Sequence, residues 1–208
     1  MVQEIELKVP TSYEDISLKK YLELQKELKN YKGEPEAETA LMLYHLCGLE
    51  PKWLTGISIN DFAILNNELS KFISNTELPL QRLIQLDGVE YGFEPNLSNM
   101  SYGAYADITK FSSITIDENW AHIMNILYRP VTKKIRDTYS IESYKGDNDW
   151  EKWLDVGMNI HFGALFFFVN LSMDLQLYTL KSLKETESHP NIKSILEKSG
   201  EVIQQSTN

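Results

Sequence analysis

Four histidines and a single cysteine set the limits of metal and nucleophile chemistry in this chain. His45 and Cys47 are the closest pair of soft ligands, but two residues apart on a helix they project in different directions and are poor joint ligands for one ion. His122, His161 and His189 stand alone in sequence. His161, at the head of an apolar run, reads as a buried, hydrogen-bonded histidine rather than a catalyst. No Gly-x-Ser-x-Gly elbow surrounds a serine, and Cys47 has no activating context. Gly56, Gly88, Gly92, Gly103, Gly146 and Gly157 are scattered, so no run of backbone N–H groups is spaced to cradle a phosphate. Asp117-Glu118 and Asp147-Asn148-Asp149 could hold a cation weakly. The second lacks the further oxygens of a calcium loop, and both read as solvated acidic turns. The expectation is a protein with no catalytic residue, no cofactor and no metal.

Two groups of residues suit binding instead. Arg129, Lys133, Lys134 and Arg136 form the basic cluster of an acidic chain, suited to an acidic partner surface or a phosphate, or, more plainly, to local salt pairing. Trp150 and Trp153, three apart beside an acidic turn, are either an aromatic grip for a partner or core packing, with core the favoured reading. The whole chain argues against nucleic acid as a main partner. Its charge is 20 − 30 = −10 with pI ≈ 4.9, so a phosphate backbone meets net repulsion. One cysteine forms no internal disulfide, and Met1 to Pro10 lacks the basic-then-apolar layout of a secretory signal, which points to a reducing cytoplasm. With 42% hydrophobic and 24% charged residues, the 208-residue chain has ordinary globular composition and is not a wholly disordered or collagen-like one.

The elements that must position these residues follow from periodicity. Val2, Ile5, Leu7 and Val9 suggest a short edge strand ending at Pro10. Ser17 caps a helix carrying Leu18, Tyr21, Leu22, Leu24 and Leu28, with Gly33 as its stop. Pro35 to Gly48 is a second helix, so the pair makes a helical hairpin. Pro51 to Leu54 is one turn, and Ser58 or Asn60 caps a helix carrying Phe62, Ile64, Leu65, Leu69, Phe72 and Ile73. Asp87-Gly88 between Arg82–Leu86 and Val89–Phe93 predicts a β-hairpin. Ser101 caps a helix through Tyr105, Ile108 and Phe111, and another runs from Asp117 to Leu127, before Pro130. Thr132 to Tyr144 is mixed, with Ile141 in a short extended piece, and Lys145 to Asp149 is the exposed loop. From Trp150 the chain turns most apolar. The run Phe162 to Leu171 is too short to span a bilayer and belongs to a long central core helix, about Gly157 to Lys184. Beyond Pro190, Ile192 to Ile203 is a weaker helix before a frayed end.

The expected fold is therefore mainly α: helical hairpins around a long apolar C-terminal helix, with a small central β-hairpin, an α-rich α+β arrangement. Residues 1–185 form one domain, and 186–208 form a weakly structured tail. Laying Ser17 on Ser101 aligns two apolar, Ser-cap, Tyr patterns, which raises a pseudo-repeat of 13–75 and 97–130 as one alternative and independent convergence of two capped helices as the other.

The segments Ile16–Gln25, Leu54–Phe72, Tyr91-Gly92-Phe93-Glu94-Pro95-Asn96-Leu97, Leu127-Tyr128-Arg129-Pro130 and Gly163–Leu171, in that order, resemble small proteins encoded among the tail genes of tailed bacteriophages, the tail assembly chaperones and related morphogenesis proteins. The resemblance covers about Ile5 to Glu185 and rests on helix starts, a hairpin and an apolar helix. It implies a non-enzymatic helical protein of the host cytoplasm, with no membrane contact, that covers apolar helical segments of a tape-measure protein until the tail tube polymerises. The alternatives are a structural or packaged virion protein and, last, an enzyme whose site is assembled from distant residues.

Overall fold

The computed structural model describes residues 7–74, 78–110, 115–146 and 148–187, with side chains up to residue 171 and at Met173. The chain divides into two compact units, Met1–Phe166 and Phe167–Asn208. The first carries nearly all the described tertiary structure. Residues 7–10 are outside regular structure; the rest of the expected N-terminal strand and the expected helix from Ile192 to Ile203 lie outside the described residues.

Local chemistry starts and stops the helices. Ser17 Oγ accepts the Lys20 backbone N–H at 3.3 Å and opens α1 (Leu18–Leu28). The second helix, α2 (Pro35–Cys47), begins with a proline whose missing N–H costs nothing there. It ends at Gly48, φ 73°, where the Leu49 N–H reaches back to the Leu43 carbonyl at 3.2 Å. Leu43 and Leu49 are both buried, so this closure also anchors the α1–α2 hairpin. After the single turn α3 (Pro51–Leu54), Ser58 caps α4 (Ile59–Ile73), its Oγ accepting the Asp61 N–H at 3.0 Å.

The middle of the chain builds a sheet. Strands β1 (Leu83–Leu86) and β2 (Val89–Phe93) turn through Asp87 and Gly88, both left-handed at φ 51° and 77°, the twist a two-residue hairpin requires. Ser101 then caps α5 (Tyr102–Thr109), and α6 (Trp120–Leu127) follows. This helix passes into β3 (Tyr128–Ile135) with no residue between them, and β4 (Thr138–Ile141) completes an antiparallel sheet in the order β1-β2-β3-β4. Tyr91 faces Pro130, and a bulge falls between Val131 and Lys133. A 3₁₀ segment, Trp150–Asp155, leads to α7 (Met158–Glu187).

One short bridge ties the first helix to the last. The Leu18 N–H donates to the Val156 carbonyl at 3.0 Å and the Met158 N–H to the Ile16 carbonyl at 2.8 Å, around the Ser17–Gly157 pair. Only glycine fits there, because a Cβ on Gly157 would lie 2.8 Å from the Glu14 carbonyl oxygen.

The expected architecture is overturned on two counts. The β component is a four-stranded antiparallel sheet and not a lone hairpin, so the fold is α+β rather than mainly α. A long apolar C-terminal core helix is not what organises it either. Among the described side chains of α7, the buried ones fall in the first turns, at Met158, Ile160, His161, Gly163 and Ala164, while Val169 and Met173 are exposed. The helix enclosed on all sides is α6, in which every residue but His122 is buried. Its neighbours are α5, β3 and the 3₁₀ segment.

Candidate functional site

The chemistry-bearing side chains of the first unit are largely spent on one another. The Trp120 Nε1–H donates to His161 Nδ1 at 3.1 Å, which leaves the proton on Nε2, 3.1 Å from the Trp153 carbonyl. The Trp153 Nε1–H in turn donates to Asn125 Oδ1 at 3.1 Å, and the Asn125 Nδ2–H donates to the Asn148 carbonyl at 2.7 Å. This relay joins α6, the 3₁₀ segment and α7 through the core. Burial pushes the His161 pKa down to about 4, so the ring is neutral at pH 7 and serves as a structural connector.

The six residues singled out by type are split by the fold. Trp153 is fully buried, its ring against Tyr91 and Tyr128. Trp150 is half-buried with its ring 4.1 Å from that of His122. Arg129 is buried and paired with the equally buried Glu94, whose Oε1 also accepts the Asn96 N–H at 3.3 Å. It therefore stands apart from Lys133, Lys134 and Arg136, which are exposed near the β3–β4 turn. Lys134 pairs with Glu90 across the sheet at 2.9 Å, and Arg136 occupies the turn at φ 52°. No single surface collects all six. Elsewhere, His45 Nε2 lies 3.2 Å from Glu27, and burial pushes the Cys47 thiol up, away from nucleophilic use. Among the described residues, no group of three or more His, Cys, Asp or Glu side chains could hold a metal ion. Among them also, no helix is long and apolar enough to cross a membrane.

Among the described residues, two surfaces suit a partner best. On α4, Leu69 faces the core, while Ile59, Ala63, Asn66, Ser70 and Ile73 form an exposed stripe. Their 4-3-4-3 spacing places them along one line of the helix, and none is charged. Ile59 is 88% exposed, a high value for an isoleucine. The second surface is an open groove of about 440 Å³ beside β1, bounded across from the strand by Val156 and Ile160. Glu14 is the charged residue of its lining, and the Asn159 Oδ1 in its wall has no hydrogen-bond partner. Residue types alone missed both surfaces. The 4-3-4-3 spacing is visible in the sequence, but the groove exists only because β1 is a sheet edge.

No protein-family model, curated protein or solved structure matches the chain.

Proposed function

We propose that this chain is a non-enzymatic protein of bacteriophage tail assembly that holds apolar helical segments of a tail protein, the tape-measure protein foremost, in the host cytoplasm. The α4 stripe carries the reading. A line of uncharged residues at heptad-like spacing suits the seam of a second helix, and the small Ala63 and Ser70 at its centre allow close backbone approach. Docking there strips water from no charge, and the net charge of −10 favours solubility of the holder and its cargo.

Co-expression with the tape-measure protein of the same genome tests it. The unaltered chain should co-purify with that partner. Ala63→Glu should cut recovery at least tenfold while leaving thermal stability nearly unchanged, since the position is exposed. Ile64→Glu, on the same helix but off the stripe, should leave recovery intact. Failure of the unaltered chain to bind any tail protein would discard the reading. Abundant recovery of the chain from mature particles by mass spectrometry would replace it with a permanent virion component.

A further inference from the structure

The edge of the sheet presents a second binding chemistry, independent of α4 and of the phage assignment. In a hairpin closed by two residues, the flanking Leu86–Val89 pair exchanges hydrogen bonds, and every second pair after it does the same. The Phe93 N–H to Arg82 carbonyl bond, 2.9 Å, confirms this alternation. Leu83 and Gln85 are therefore the positions whose N–H and C=O groups point away from β2. Because β1 ends the sheet order, these groups face the groove rather than another strand. Donors and acceptors repeating at about 7 Å, two residues apart, match the backbone of an extended chain and little else. The groove walls, Leu86, Val156 and Ile160, suit apolar side chains at alternate positions of such a chain, and Glu14 suits a cation.

The geometry points to β1 as the docking edge for an extended, apolar segment of another protein that carries a lysine or arginine, added as a fifth strand of the sheet. Net charge selects this occupant over a second copy of the chain, because two bodies at −10 repel.

A random heptapeptide display library, panned on the full chain, tests the inference. Enriched peptides should alternate apolar residues with at least one lysine or arginine, and binding should slow amide hydrogen exchange at Leu83 and Gln85. Gln85→Pro removes an outward N–H without touching the β2 ladder and should weaken these peptides at least tenfold. Glu14→Lys, a surface change that leaves β1 intact, should reverse the preference toward acidic peptides. The inference is overturned if nothing enriches, or if enriched peptides leave exchange at Leu83 and Gln85 unchanged. It is also overturned if binding appears only after removal of residues 1–6, which would make the chain's own N-terminus the occupant. A dimer that Gln85→Pro dissolves would assign the edge to a second copy instead.

Discussion

At the scale of single residues, the buried polar groups are the most exacting feature of this protein. His161 is neutral in the fold with a pKa near 4, against an ordinary 6.5 in the unfolded chain. The unfolded state therefore gains the proton first as pH falls. The stability this histidine allows is complete above about pH 6.5 and declines steadily toward pH 4, by roughly 3 kcal/mol in total. Urea midpoints measured from pH 7 to pH 4.5 should show the decline, and His161→Gln should flatten it while lowering stability at pH 7. Arg129 makes a different demand. Replacing it with methionine strands the Glu94 carboxylate in the interior, and the unfolding free energy should fall by about 3–5 kcal/mol. Adding Glu94→Gln to that variant should restore much of the loss, an interaction a double-mutant cycle reads directly.

At the scale of elements, the caps and turns with strong local chemistry were legible in the sequence. Ser17 and Ser101 open the helices they were expected to open, Ser58 rather than Asn60 opens α4, and Asp87-Gly88 turns the hairpin. The second hairpin was not legible. Its turn puts Arg136 in the left-handed region, where Gly or Asn is the usual signal, and Pro130 sits inside a strand that a proline normally argues against. The core helix was misplaced for another reason. Phe162 to Leu171 is the densest apolar run, but density does not say which helix the other elements surround, and that turned out to be Trp120–Leu127. The α4 stripe was only grazed by the sequence reading, because the large apolar residues it selected, Phe62, Ile64, Leu65, Leu69, Phe72 and Ile73, lie mostly on the face turned inward or half-inward and include only Ile73 of the stripe. Among the element junctions, the Ser17–Gly157 bridge is the least forgiving. Gly157→Ala should push the Glu14 backbone aside and cost about 1–3 kcal/mol, measured as a lower melting temperature.

At the scale of the whole molecule, the two proposed contacts differ in how they answer to salt. Capture on the uncharged α4 stripe should hold between low and physiological ionic strength, whereas peptides that engage Glu14 should weaken as salt screens that pair. The same separation gives an independent check on which surface a natural partner uses. The direct passage of α6 into β3 also bears on how the protein is born. Trp120 and Tyr128 find their partners in His161 and Trp153, dozens of residues downstream, so this apolar helix has no cover until the chain runs past them. Chains cut after residue 130 keep α6 but lack Trp153 and His161, and light scattering should show them aggregating far more than the full chain.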